Sequence, residues 1–449
     1  MDRVVPANLQ GWVVRGYTHP FIRHLVAAIT DARAARRLIG AITGEDPTLP
    51  QVTSGAHWGP KRPAHTVNVA FTFDGLAALA VPASDLASFP SDFRQGAVAR
   101  AAKIGDTGAS APSNWRGRLG DAGVAHAIVT IYAEDEVVLD AVTAALLDAG
   151  RGAIVEVSRF DGATFPHGFV HFGYKDGISQ PRMEGLREKK KHADADDDDQ
   201  PLTPTGSLVL GYPSQYENLV FTIPRPEVLG RDGTYNAFRV LAQDVVGFDA
   251  FLTRAAAETG LSRDLVAAKL LGRWPNGNPL MLRPDDPGKP MHVDEVNKYG
   301  YADDPDGVRC PLGSHMRRAN PRDGQVVQRG FGHSRRLVRR GTPYGPPYVP
   351  GTPDDGVERG LLGNFLCASL SAQFEAVMYD WLNLGLQHPD TTGLNDPLLG
   401  ANEEGTSRFD IAGVDTSFQL RGFGRFVETR GSAYTFVPSI AALRYLGAS

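Results

Sequence analysis

Two cysteines, Cys310 and Cys367, are all that the 449 residues contain, so no disulfide framework can be built and a reducing compartment is expected. No run approaches the roughly 18 apolar residues that a membrane-spanning helix needs. The N-terminal segment MDRVVPANLQGWVVRGY lacks an apolar core followed by a small-residue cleavage site, which makes the cytoplasm the expected location. A formal charge of -5 weighs against a general nucleic-acid binder, although local charge can oppose the net value. There is no Walker A loop, and GISQP (Gly177 to Pro181) lacks the final glycine of a nucleophile elbow, so Ser179 is a poor nucleophile.

What is present is an ordinary globular composition, with 42% hydrophobic and 22% charged residues. The length exceeds what one core usually supports, so two domains or a duplicated fold are expected. GWVVRGY reads as a strand, Phe21 to Ile39 as an amphipathic helix and His65 to Phe73 as a strand. AHAIVTIYA follows as a strand, EDEVVLDAVTAALLDAG as a helix with acids in its first turn, and AIVEVSRF as a strand. Strand, helix, strand, strand, helix, strand is the ferredoxin-like order, an α+β arrangement. REKKKHADADDDDQPLTPTG reads as an exposed charged loop over 187–206. GSLVLGY, TYNAFRVLA and the helical VGFDAFLTRAAAETG then resume a similar alternation. The expected organisation is therefore an N-terminal ferredoxin-like domain over 1–186, the loop, and a second such domain over 207–449.

Several segments invite chemistry. Asp194, Asp196 and Asp198 have EF-hand spacing, but Asp199 stands where the loop needs glycine and Thr205 where it needs glutamate, so a solvated loop is expected. His167 and His171 are four apart in FPHGFVHFG, a poor helix; as a strand it would hold them roughly 13 Å apart, too far to share a zinc ion. From Arg317 to Arg340 there are eight arginines, no lysine and one acid, Asp323. Arginine without lysine suits bidentate capture of carboxylates and keeps its charge in a dry pocket, whereas a nucleic-acid surface normally mixes the two. His315, in CPLGSHMRRANPR, is either a structural histidine or an axial donor to iron. Asp176, in HFGYKDGISQP, lies between Gly173 and Gly177; the glycines permit a tight path around the carboxylate.

Together these segments resemble the dye-decolourising peroxidase family. Gly173-Tyr174-Lys175-Asp176-Gly177 matches its GxxDG motif, His315 falls at its proximal histidine, and RRGTPYG (Arg339 to Gly345) is similar to the segment whose first arginine lines the distal side. KLLGRWPNGNPL, QFEAVMYDW, DPLLG and FVETRGSAYTFVPSIAALRYL extend the resemblance along nearly the whole chain, in order. The resemblance implies two ferredoxin-like domains of antiparallel sheets with helices packed on them, and one haem b held mainly by the second. It implies His315 as the axial ligand to the metal, Asp396 as the carboxylate bonded to the proximal imidazole, and Asp176 and Arg339 as distal catalytic residues, with the adjacent Arg340 open as the alternative. Arg317, Phe365 and Leu366 are expected to contact the cofactor.

The partners so implied are hydrogen peroxide and a small organic electron donor such as a dye or phenolic, with neither nucleic acid nor membrane; a homo-oligomer is compatible with it. Large donors would need a relay, for which Trp381, Trp274 or a tyrosine is available. Aspartates ordinarily titrate near pH 3.9 and histidines near 6.5, so an aspartate as acid-base group points to an acidic optimum (values about those of model peptides). The reading from another class is a haem-handling protein with incidental peroxidase activity, which would need His315 but not Asp176 and Arg339.

Overall fold

The computed structural model describes residues 3–186, 201–324, 326, 333–414 and 416–448. Its first half runs β1 (Phe21–Ile29), α1 (Ala32–Gly40), β2 (His65–Phe71), β3 (Ala127–Ala133), α2 (Glu136–Ala149) and β4 (Ile154–Ala163). The second half continues with β5 (Thr234–Gln243), α3 (Val245–Thr259), α4 (Arg263–Leu271), the short α5 (His315–Ala319), β6 (Val338–Tyr344) and β7 (Gly360–Cys367). A hairpin of β8 (Arg408–Ile411) and β9 (Phe418–Arg421), strand β10 (Val427–Val437) and helix α6 (Ile440–Gly447) complete it.

Eight strands form one antiparallel sheet in the order β4-β1-β3-β2-β10-β5-β7-β6. Within each half the fourth, first, third and second strands lie side by side, so the expected ferredoxin-like order occurs twice in an α+β fold. The halves meet where β2 pairs with β10 at Phe71 and Phe436. The sheet also curls until its two ends approach: a Cβ on Gly162 of β4 would stand 2.8 Å from the Pro343 carbonyl oxygen of β6, closer than any side chain tolerates. Among the described residues no helix is long and apolar enough to cross a membrane.

Two N-terminal expectations are corrected. GWVVRGY is not a strand: Gly11–Val14 form a helical turn closed by the Arg15 amide on the Gly11 carbonyl, with Trp12 and Val13 buried. Phe21 to Ile39 is not one helix but β1 followed by α1. β1 lies between β3 and β4 with its central residues buried, and a strand covered on both faces carries a continuous apolar run that resembles a helical stripe. Asp31 ends the run by capping α1, its carboxylate accepting from the Ala34 amide at 2.7 Å.

GSLVLGY likewise forms a buried turn rather than a strand, since the Leu208 and Val209 amides bond back to the Thr205 carbonyl. FPHGFVHFG is also no strand. A turn places His167 at φ 61°, leaving it exposed while His171 is buried. The acidic run with Asp194, Asp196 and Asp198 lies outside the described residues.

His24 of β1 points into the interior, with Nδ1 2.9 Å from Thr130 Oγ1 and its ring 4.9 Å from that of Phe238. Burial pushes its pKa down to about 3. The unfolded chain takes up this proton below its usual pKa of about 6.5 while the folded chain refuses it until near pH 3. Folding stability is thus unaffected above pH 6.5 and falls as pH drops through that window. His24 alone is expected to remove about 2 kcal/mol between pH 7 and pH 5. Urea unfolding at both pH values checks this: His24→Gln should lose correspondingly less on acidification, and an unchanged loss would refute the assignment.

Candidate active site

Strands and helices of the second half and one loop of the first enclose a cavity of about 290 Å³, near the lower end of pockets that hold small molecules. Leu241, Leu271, Met316, Phe374 and Leu398 make it largely apolar, and His315, Asp176, Arg339 and Phe365 all border it. The four residues lie far apart in sequence, so the fold has brought the segments singled out above to one place.

His315 is the first residue of α5. Its Nδ1 lies 3.1 and 3.2 Å from the two carboxylate oxygens of Asp396. Asp396 also accepts the Leu398 and Leu399 amides at 3.0 and 2.8 Å. A carboxylate bonded to backbone amides can only accept, so Nδ1 carries the proton and Nε2 keeps its lone pair. Burial pushes the Asp396 carboxyl up, but His315 and the Arg318 guanidinium outweigh it and hold the group below its usual range. Asp396 is therefore a buried anion oriented at the imidazole.

Asp176 sits at the end of a loop anchored from several sides. The Val170 amide bonds the Tyr174 carbonyl, the Asp176 amide bonds the Gly168 carbonyl and the Lys175 amide bonds the Pro275 carbonyl, at 2.8–2.9 Å. The buried Tyr174 hydroxyl donates to the Ala267 carbonyl of α4 at 2.8 Å. Gly177, at φ +76°, supplies the left-handed turn that leads the chain away. Arg339 of β6 is tied to the same loop: its backbone exchanges hydrogen bonds with the Gln180 side chain at 3.0 and 3.1 Å, and its Nη2 donates to the Ser179 carbonyl at 2.7 Å. A Cβ on Gly341 would lie 3.8 Å from Asp176 Oδ2, so anything larger there would crowd the carboxylate.

Strand register separates the neighbouring candidates. Arg339 pairs with Phe365 and Gly341 with Gly363, whereas Arg340 pairs with Asn364 and Val338 with Leu366. Paired residues share a face and successive residues alternate, so Arg339, Gly341 and Phe365 lie on the face that carries Asp176. Arg340 turns to the other, donating from Nε to the Trp12 carbonyl at 2.8 Å. Leu366 lies on that other face too, packed among Leu9, Trp12 and Leu208, and is not among the residues that line the cavity.

Arg317 does not border it either. It bonds Asp304 and the Cys310 carbonyl at 2.9 and 2.7 Å and lies over the Tyr301 ring. Arg318, three positions after His315 and hence on its side of the helix, is a residue that sequence reasoning missed; it does not line the cavity either but acts on the Asp396 carboxylate behind His315.

The wall also carries Arg273, Arg335 and Arg336. Arg335 is held by Asp380 at 2.9 Å, and burial with the nearby Arg339 and Arg322 pushes Arg336 down to about 9. An imidazole lone pair, an apolar cavity and cations on its wall form a donor set that fits a haem with its carboxylate side chains. Among the described residues no cluster of three or more histidine, cysteine, aspartate or glutamate side chains offers a metal site.

Residues 8–166 match the family model of the DyP dimeric alpha+beta barrel domain. The dye-decolorizing peroxidase msp1 of Mycetinis scorodonius is 29% identical over 473 aligned residues, covering 97% of this chain and 86% of that protein. A solved structure of an ancestral D-type dye decolorizing peroxidase, 25% identical, matches with a TM-score of 0.80 over 100% of both chains. Over nearly its whole length the chain is similar to dye-decolorizing peroxidases. Another such relative, the multifunctional dye peroxidase DyP2 of an Amycolatopsis strain, is 28% identical over 85% of this chain and 82% of its own. Members of this family are haem enzymes, in agreement with the donor set.

The alternation on β7 is testable by paired variants. Leu366→Ala should cost about 2–5 kcal/mol of unfolding free energy as a cavity in a packed core while leaving the haem absorption spectrum in place. Phe365→Ala should alter that spectrum, and the reverse pattern would overturn the placement.

Proposed function

We propose that this protein is a haem peroxidase that reduces hydrogen peroxide and oxidises small organic donors by one-electron steps, with one haem b per chain. The observation that carries this reading is that Asp176 and Arg339 border the same apolar cavity as a histidine backed by a buried carboxylate. His315 would hold the iron through Nε2, and Arg336 and Arg273 would face the haem carboxylates. When bound, the haem supplies the redox chemistry, taking two oxidising equivalents from peroxide and passing them singly to donors.

Asp176 takes the proton from the peroxide oxygen that approaches the cofactor and delivers it to the oxygen that leaves, since one carboxylate can serve both transfers. Arg339, fixed through Ser179, holds positive charge for the departing oxygen. Asp396 keeps the His315 ring in one orientation and gives it anionic character. Gly341 keeps the space beside the Asp176 carboxylate open for a small oxidant.

A haem carrier would need His315 and Asp396 but has no use for the aspartate and arginine, which is why the enzyme is preferred. A relative 24% identical to this chain has been solved with 2,6-dimethoxyphenol bound, which supports small phenolics as donors. Two buried, unpaired cysteines agree with a cytoplasmic location.

Stopped-flow mixing with peroxide tests the distal role: Asp176→Ala should slow the first spectral change by about 10²–10⁴, the usual worth of a positioned acid-base group, and an unchanged rate removes Asp176 from it. His315→Ala should abolish or strongly displace the Soret band of the haem-loaded protein. An unaltered band would rule out His315 as ligand.

A further inference from the structure

A second cavity, of about 820 Å³, lies outside the first. The two share Val170, Asp176, Pro181, Arg339, Arg340 and Gly341 as a common wall, so a molecule in this vestibule stands one residue layer from the cofactor cavity. Tyr17, Tyr132, Phe165 and Phe169 give it aromatic walls. Among its described lining residues Arg339 and Arg340 stand beside one carboxylate, Asp176.

Arg340 is the most telling of them. Its Nε donates to the Trp12 carbonyl at 2.8 Å and its Nη1 to the Arg339 carbonyl at 3.2 Å. A guanidinium has five donors, so three remain after those two. The charged or titratable groups that influence it are Tyr132, Tyr17 and Arg339, none of them an acid with negative charge near neutral pH. A half-buried guanidinium with spare donors and no carboxylate partner calls for an anion. Beside it there is room, because even a Cβ on Gly16 would stay 3.9 Å from Arg340 Nη1.

We propose that the vestibule is the donor-binding site and selects aromatic donors that bear a carboxylate or sulfonate, with Arg340 as the anchor for the anion and the tyrosine and phenylalanine rings as the platform for the donor's ring. The inference rests on the peroxidase reading for the fate of the donor, which gives up one electron to the peroxide-oxidised cofactor and, if phenolic, one proton to vestibule water. It does not rest on that reading for binding.

Two measurements on the haem-loaded protein test it. Calorimetric titration with 3-phenylpropanoate, which cannot act as a phenolic donor, should show binding that weakens about tenfold in Arg340→Gln and recovers in Arg340→Lys, tenfold being the worth of one charge-assisted contact. In steady state, kcat/KM for 3-(4-hydroxyphenyl)propanoate should exceed that for its uncharged amide by about tenfold, through KM, and Arg340→Gln should bring the ratio near one.

Equal binding by the wild type and Arg340→Gln overturns the proposal. So does a lowered haem content in Arg340→Gln with the donor ratio preserved, which would assign Arg340 to the cofactor's own carboxylates. If neither donor is oxidised at all, the peroxidase reading fails, and the titration still decides whether the vestibule binds aromatic anions.

Discussion

The site depends above all on the register between β6 and β7. Pairing Arg339 with Phe365 and Gly341 with Gly363 places a cation, an aromatic ring and two residues without side chains on one face of the sheet. A slip of one residue would send Arg340 and Leu366 there instead and put an asparagine and a leucine where the cavity needs room. The register is held from both sides, by eight residue pairs between β5 and β7 and by the Gln180 side chain, which bonds the Arg339 backbone like a short piece of strand. Through Gln180 the strand also fixes the loop carrying Asp176, so Asp176 and Arg339 are positioned by one set of bonds.

Charge is distributed with similar economy. The proximal side holds a buried anion, Asp396, faced by His315 and by Arg318, whose Nη1 donates to the carbonyls of Trp381, Leu382 and Leu394. Across the cavity, the described residues set Arg339 and Arg340 beside one carboxylate, Asp176. A cofactor with carboxylate side chains relieves part of that excess on the inner wall, and the vestibule keeps a remainder at Arg340.

How far the sequence could be read varies with the physics of each segment. α2 was plain because its acidic start and apolar spacing are local, and β2, β3 and β5 were plain because β-branched and aromatic residues recur along each of them. β1 was misread because burial on both faces erases the alternation that marks a strand, and the same loss of pattern hid the turn in GSLVLGY. At the site, Asp176 and His315 stood out in glycine-bounded segments, but their roles, like that of Asp396, were implied only by the family resemblance, and the pairing of Asp396 with His315 spans 81 positions. The choice between Arg339 and Arg340, and the error at Leu366, turned on strand parity, which no residue type records. Arg318 was within reach, because helical spacing from His315 already singled it out over Arg317.

The position of β10 in the sheet bears on how the chain acquires its structure. It follows every other sheet strand in the chain, yet it lies at the centre, between β2 and β5. During synthesis the first half can form its four-stranded sheet by itself, but β2 then presents an open edge of unpaired amides and carbonyls until β10 emerges. The interval between those events, spanning more than 250 residues of translation at roughly 5–20 residues per second, is when the nascent protein is most exposed to pairing with the wrong partner. The cavity is completed after it, because β10 supplies Val427 to the wall and pairs with β5, which supplies Leu241 and Gln243.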